Sequence, residues 1–355
     1  MRREFEGHDH SAALTDQVRA AVAARTPLYI RGGASKPFPG RPMNAAPLDT
    51  RAHCGVVNYD PTELVITVRA GTAVAELDAV LDAAGQMLPC EPAEANGAAT
   101  VGGMVASGLA GPRRPWAGSV RDYVLGCRVV TGEGKLLRFG GEVMKNVAGY
   151  DVSRLMTGSS GCLGLLTEVS LKVLPKPRAT QHLALDLPAV EAMRQVAGWR
   201  RAGLPIAGAC HDGAILQVRL EGGEGSVRAA CAQIGGAAVD GTFWRALREQ
   251  RLPFFDDSRP LWRLSVPPTA PLVDLPGACL LDWGGAQRWL KSDAPADVLR
   301  DFAQHLGGHA TAFSAIAAGE PFHPLPAALL RYHRALKQQL DPHGIFNPGR
   351  LYADL

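Results

Sequence analysis

The chain has 355 residues, 46% of them hydrophobic and 20% charged, with a formal net charge of +3. That length allows two domains or one large one, and so small a charge gives no electrostatic footprint for nucleic acid. No apolar run reaches the roughly 18 residues a membrane span needs, and the polar start MRREFEGHDH argues against a signal peptide. Seven cysteines are scattered, none spaced as CxxC. That pattern suits a reducing cytoplasm and predicts no iron–sulphur or zinc site in the chain itself. His305 and His309 stand four apart, but Gly307-Gly308 breaks the helix that would make them joint ligands, so no metal is expected.

In chain order, residues 11–24 read as a helix with Leu14, Val18, Ala21 and Val22 on one face and Ser11 as N-cap. The short strand Leu28–Ile30 then runs into Arg31, Gly32, Gly33, Ala34, Ser35 and Lys36. A strand entering a Gly-Gly turn flanked by Arg, Ser and Lys is a candidate diphosphate cradle, because backbone N–H groups in a tight turn form an anion nest. No GxGxxG opens a helix and no GxxxxGK[ST] occurs, which excludes the Rossmann and P-loop readings. Glu63–Arg69 reads as a strand, and Gly71-Thr72 turns it into a helix at 73–84 that stops at Gly85.

The densest signal is Thr100–Gly118, TVGGMVASGLAGPRRPWAG. Gly97, Gly102, Gly103, Gly108, Gly111 and Gly118 fall in or beside it, and glycine at that density costs backbone entropy. The stretch carries no charge until Arg113-Arg114, which reads as a solvated or phosphate-facing turn. It is therefore read as buried backbone wrapped around a large flat or phosphorylated ligand. A second cluster, Gly158–Gly164, leads into the strand-like Leu165–Val173. Asp122–Val130 and Lys135–Phe139 read as strands joined by a turn at Gly132–Gly134. Strands and short helices linked mostly by hairpins favour an α+β fold over a doubly wound parallel sheet.

PKPRAT at 175–180 marks a boundary. Beyond it, helices are predicted at 189–202, 225–234, 243–250 and 295–306, and strands at 214–220, 261–266, 278–283 and 286–291. That alternation suggests a smaller ferredoxin-like α+β domain. A last helix, 326–340, ends at Asp341-Pro342. The apolar tail around HGIFNPGRLY (343–352) is expected to dock on something.

These motifs resemble the FAD-binding, PCMH-type (vanillyl-alcohol oxidase-like) flavoproteins, and within them the smaller FAD-binding subunits of bacterial glycolate oxidases (glycolate dehydrogenases). The specific stretches are FGGEVMKNVAGYDVSRL (139–155) and GSSGCLGLLTEVSLKVLP (158–175), with LWRLSVPP (261–268) and LDWGGAQRWL (281–290) beyond. The resemblance implies an FAD domain at 1–174 made of two small α+β subdomains, a cap or interface domain at 175–340, and a tail at 341–355 returning to the FAD domain. Arg31, Gly32, Gly33, Ala34, Ser35 and Lys36 would hold the diphosphate. Thr100, Gly102, Gly103, Ser107, Gly111 and Gly118 would line the dinucleotide and flavin, with Pro89 near the ring. Gly161, Gly164 and the strand through Val169 would pass backbone along the nucleotide, and Asn347 would return to the cofactor.

Relatives with covalent flavin carry His where this chain has Ala34, so the resemblance implies non-covalent FAD and leaves Cys127 and Cys162 as buried thiols. It implies oxidation of glycolate, a 2-hydroxy acid, to glyoxylate by hydride transfer to FAD. Partners would be a larger FAD-linked subunit and an iron–sulphur subunit. The chain would be cytoplasmic, with contact to the inner membrane only through those partners. A carboxylate substrate needs a cation, and Arg263 and Arg288 are the candidates. Lys145 and Tyr150 lie near the glycine cluster, Tyr150 as a packed aromatic with a satisfied hydroxyl. No HxGDGNxH motif is present, and Ser160 replaces the acidic residue common in GSEGTLG, so the catalytic base is unassigned. Two alternatives stand. A stand-alone oxidase of another hydroxy acid or alcohol would need His211, His323 or His333 as base. A non-catalytic subunit would only carry flavin for electron transfer or assembly.

Overall fold

Strand Leu165–Lys172 is buried along all but its last residue, although its sequence LLTEVSLK is not continuously apolar. The polar members are satisfied from neighbouring strands: Thr167 Oγ1 donates to the Arg128 carbonyl, Glu168 pairs with Arg128 at 2.8 Å, and Ser170 shares a hydrogen bond with Thr67. Buried polar groups are tolerated when paired in this way. The strand is central in a six-stranded antiparallel sheet ordered Gly7–His8, Cys54–Asp60, Val65–Arg69, Leu165–Lys172, Val124–Val130, Leu136–Gly140.

The computed structural model describes residues 7–36, 38, 40–142, 150–314 and 320–355. The chain forms two compact units. One collects residues up to 110, 118–175 and 324–355; the other collects 111–117 and 176–323.

In the first unit, helix Val74–Asp82 buries Val74, Leu77 and Leu81 completely in the core of the large sheet. Helix Ser11–Ala24 buries Leu14, Val18 and Ala21 against Leu28, Leu48, Ile345 and Phe346. The tail thus belongs to this core: Ile345 and Phe346 are fully covered. Strand Leu28–Arg31 pairs in parallel with Ala46–Asp49. The glycine stretch is not loop throughout: Val101–Ser107 is a helix. Thr100 Oγ1 caps it, accepting from the Gly103 N–H at 3.2 Å, and Gly108 closes it in left-handed backbone at φ 64°. Two adjacent glycines hide such a helix from propensity, but a good cap at each end restores it.

The second unit holds an eight-stranded antiparallel sheet. Strands Ala179–Asp186, Ile206–His211, Ile215–Gly222 and Ala237–Val239, with helices Ala189–Arg201 and Glu224–Ile234, follow β-α-β-β-α-β with the spatial order fourth, first, third, second. That is a ferredoxin-like unit. Strands Leu261–Ser265, Ala278–Asp282, Gln287–Lys291 and His309–Ala312 repeat the same order in mirror sequence, with helix Ala296–His305 before the last. The connection 266–277 replaces the first helix of this second copy. The copies abut through their second strands at His211 and Leu281. The ferredoxin-like reading therefore applies twice.

Two readings are corrected here. Arg113 is not solvated, since it pairs with Glu221 at 2.5 Å; Arg114 is exposed, with its guanidinium over the Trp283 ring at 4.5 Å. An arginine stem readily covers apolar surface in this way. Tyr150 is 96% exposed rather than packed. Lys145 lies outside the described residues.

Candidate functional site

Three chain segments come together in the first unit because each is glycine where it meets the next. A Cβ on Gly33 would stand 1.5 Å from the Ala98 carbonyl oxygen, one on Gly32 2.3 Å from Thr100 Oγ1, and one on Gly102 2.8 Å from the Ala70 Cβ. Backbone bonds lock the same approach: Gly102 N–H donates to Ala70 O at 2.7 Å and Val101 N–H to Thr72 O at 2.9 Å. The third segment arrives through Ser160, whose N–H donates to Ala106 O at 2.7 Å. The result is a groove lined by Ile30, Gly32, Gly102, Gly103, Ser160, Gly161, Gly164 and Asn347, with Thr50, Ala70, Ala106 and Leu166.

Asn347 ties the groove to the tail. Its Oδ1 accepts the Ile30 N–H at 2.8 Å, its Nδ2 donates to the Ser160 carbonyl at 2.6 Å, and its own N–H donates to Leu28 O at 3.0 Å. Behind it lies a buried ion pair. Lys337 Nζ donates to Asp341 at 2.7 Å and to the carbonyls of Cys162 and Phe346 at 2.8 and 2.7 Å. The Asp341 carboxylate in turn accepts the N–H groups of Ile345 and Phe346. Sequence reasoning missed this knot, reading Asp341 only as the end of a helix. A Lys and an Asp at i and i+4 across a helix end were the available signal.

Three non-glycine residues at this place hold left-handed backbone: Ala34 (φ 50°), Ser160 (φ 50°) and Asn347 (φ 43°). Such strain costs on the order of 1–3 kcal/mol per residue and gathers at ligand clamps.

The remaining candidates divide clearly. Thr100 is buried as a helix cap, and Ser107 Oγ donates to Met104 O. Pro89 lies buried between Leu88 and Cys90 of the core. Gly118 adopts φ 103°, with Asp122 Oδ2 3.1 Å from where its Cβ would be. Val169 is fully buried in the sheet core and is not among the residues lining this groove. Gly111 lies in the second unit, where its carbonyl accepts the Trp283 indole N–H at 3.1 Å. Cys127 and Cys162 are buried, their thiols pushed up by burial to about 12 and about 11. Both are protonated at neutral pH, so neither is a nucleophile.

Of the two arginine candidates, Arg288 is committed to its own unit. It is 1% exposed and donates to the carbonyls of Ala270, Pro271 and Gly285. Arg263 lies over the Phe313 ring at 4.7 Å, and its Nε is buried without a hydrogen-bond partner. Burial, then the nearby Arg114 charge, push it down to about 10, so it remains a cation at neutral pH. Arg263 thus makes no hydrogen bond among the described residues, whereas Arg288 is held by three carbonyls with only its Nη1 unpaired. Among the histidines, His211 is a structural residue: Nε2–H donates to Leu187 O and Nδ1 accepts the Gly213 N–H.

His53 was not foreseen. It is fully buried, its Nδ1 accepts the His10 N–H at 3.0 Å, and its Nε2 lies 3.0 Å from the Thr167 carbonyl. It anchors the loop that places Thr50 in the groove: the His53 carbonyl takes the Gly71 N–H, and the Thr50 N–H bonds to Arg31 O. Burial holds the imidazole below its usual range. The unfolded chain then binds a proton that the folded chain refuses, so this stabilisation is present above about pH 6.5 and lost as pH falls through the folded value. Urea unfolding from about pH 7 to about pH 5 should show stability falling, by at most about 1.4 kcal/mol per pH unit from this residue, with a shallower slope in His53→Gln.

The donor set of the groove suits a dinucleotide. Main-chain groups and small residues surround it, and Gly32 of the Arg31–Lys36 turn lies on its lining. Comparison with known proteins agrees. Residues 9–140 match a model of the FAD binding domain. The chain is 60% identical over 347 residues to glycolate oxidase subunit GlcE of Escherichia coli (strain K12), covering 98% of this chain and 99% of that protein. It is 34% identical over 140 residues to glycolate oxidase subunit GlcD of Bacillus subtilis (strain 168), covering 39% of this chain and 30% of that one. The solved structure of an alkyldihydroxyacetonephosphate synthase superposes with a TM-score of 0.68 at 17% identity, covering 96% of this chain and 75% of the other, and shows a shared fold. Sequence, groove and fold therefore place this chain in the glycolate oxidase subunit GlcE family, an α+β flavoprotein family with an FAD binding domain at residues 9–140.

Proposed function

We propose that this chain is the FAD-carrying subunit of a glycolate-oxidising complex, with the cofactor held non-covalently. The observation that supports it most is the convergence of three glycine segments and Asn347 on one backbone-lined groove. The turn Arg31–Lys36 would take the diphosphate through its N–H groups and Lys36. Gly102, Gly103 and Thr100 would border the dinucleotide, and Gly161 with Asn347 would close it. Bound FAD supplies the acceptor for a hydride from the substrate α-carbon. This chain's contribution is binding, orientation and exclusion of water. In the second unit, Arg263 is suited to hold a small carboxylate, because it retains an unpaired buried N–H.

The partners in this reading are a larger FAD-linked subunit and an iron–sulphur subunit, since the seven cysteines here are free and none is spaced for a cluster. Among the described residues no helix is long and apolar enough to cross a membrane. Contact with the inner membrane would come through the partners and leave this chain on the cytoplasmic side.

Ala34 offers no nucleophile to a flavin. Acid precipitation should therefore release all of the yellow colour into the supernatant. Colour retained in the pellet would contradict non-covalent binding.

Anaerobic glycolate is the direct test of the activity. The purified flavin-bearing chain should stay yellow alone and bleach once the partner subunits are added. In the assembled complex, Arg263→Gln should raise KM for glycolate at least tenfold with FAD content unchanged, since a charge-assisted contact contributes about 1.5–3 kcal/mol. Bleaching of the chain alone would favour the stand-alone oxidase. A fully active complex made without flavin on this chain would count against the proposal.

A further inference from the structure

A second cavity lies in the first unit, on the other side of the Gly158–Gly164 turn from the glycine groove. Its volume is about 330 Å³, the lower end of the range for small-molecule sites. Its floor is apolar, built from Leu155, Leu163 and Leu336 with Leu351 and Leu355. Its polar lining includes the guanidinium groups of Arg121 and Arg154 and the imidazole of His333, and among the described residues no carboxylate side chain borders it.

The cations differ in how far they are committed. Lys337 also reaches the wall, but its ammonium is held by Asp341 and two carbonyls. Arg121 and His333 make no ion pair among the described residues. Arg154 is paired with Asp151, its Nε 3.4 Å from Oδ2 without hydrogen-bond geometry. Thr157 Oγ1, also on the lining, is buried with no partner. Unsatisfied buried donors are rare and costly in folded proteins. Here the Thr157 hydroxyl borders the cavity beside Arg154 and the side chains of Arg121 and His333, which make no ion pair among the described residues.

We infer that this cavity binds a small organic carboxylate with a short apolar chain. Its carboxylate is held by Arg154 and Arg121 and its hydrocarbon lies on the leucine floor. Arginine suits this task because its planar fork matches two carboxylate oxygens. The site is separate from the glycine groove, which has Ser160, Gly161 and Gly164 on its own side of the turn, so the inference does not depend on what that groove binds.

The test uses the full FAD-loaded chain with methyl-labelled leucines, titrated with acetate, butyrate and hexanoate and separately with inorganic phosphate. Saturable shifts are expected at Leu155, Leu163, Leu336, Leu351 and Leu355 and not at Leu166 of the glycine groove. Affinity should rise about fourfold per added methylene. Arg154→Gln and Arg121→Gln should each weaken hexanoate at least tenfold with the melting temperature unchanged. Both side chains are substantially exposed, so folding is not at risk, and Arg154→Lys should recover part of the loss. Absence of saturation, unchanged affinity in both variants, or phosphate binding as tightly as hexanoate would each overturn the assignment.

Discussion

Gly33→Ala is expected to abolish FAD binding while leaving the second unit folded. The added methyl would sit 1.5 Å from the Ala98 carbonyl oxygen, and that atom is main chain, so no rotamer change relieves the overlap. Residues 31–36 must move away from 98–103, which opens the groove at the turn proposed to hold the diphosphate. Overpacking alone costs typically 1–3 kcal/mol in stability. The effect on the cofactor should be larger, because the N–H groups of the turn no longer converge. FAD affinity should fall at least tenfold, about 1.4 kcal/mol, read as loss of bound yellow flavin after gel filtration. Gly198→Ala is the control. It lies within helix Ala189–Arg201 with nothing within 4 Å of its added methyl, and it should stabilise by about 0.5–1 kcal/mol. Gly33→Ala protein that keeps a full complement of FAD would refute the assignment of this turn to the cofactor.

The contrast between those two glycines explains how much the sequence disclosed. Clusters at 32–33, 102–103 and 158–164 announced a backbone-lined site, because adjacent glycines are too costly to persist without close approach or positive φ. Helix Ser11–Ala24 and the strand ending at Arg69 were legible for ordinary reasons: clean apolar periodicity and clear stops. Strands Ala179–Asp186 and Ile206–His211 were not foreseen. The first, ATQHLALD, is half polar, and only Leu183 is fully buried. The second, IAGACH, is small residues throughout and carries no β-branched residue after Ile206. Missing them hid the duplication in the second unit. His53 was invisible for another reason, and the Lys337–Asp341 pair showed only its i, i+4 spacing. Their partners are main-chain atoms up to 175 positions away, and backbone partners leave no mark on residue identity. Arg263 and Arg288 looked equivalent as sequence. What separates them is that the Arg288 guanidinium finds three carbonyls and leaves only its Nη1 unpaired, whereas the Arg263 guanidinium makes no hydrogen bond among the described residues.

Lys337→Met should be the most destabilising single change in the tail, and its effect should reach the cofactor. The substitution removes three hydrogen bonds at once and leaves Asp341, fully buried, without its counter-charge. Breaking one partner of a buried pair costs about 3–5 kcal/mol. For a unit of this size that lowers the melting temperature by roughly 6–20 °C. The carbonyls of Cys162 and Phe346 are also orphaned, and these belong to the two segments that Asn347 joins. Freed of the pair, Ile345 to Asn347 should leave strand Leu28–Arg31, and the groove should lose its closing side chain. FAD should therefore dissociate at a temperature below the global transition, seen as flavin fluorescence rising before the far-ultraviolet signal falls. Asp341→Leu alone should be comparably severe, since it strands the ammonium and the Ile345 and Phe346 N–H groups. The double variant should lose less than the sum of the two, because the unpaired charge is then absent. Additive losses would mean that the two side chains act independently. A Lys337→Met chain within about 1 kcal/mol of wild type, with its flavin in place, would mean that the tail is held by Ile345 and Phe346 packing alone.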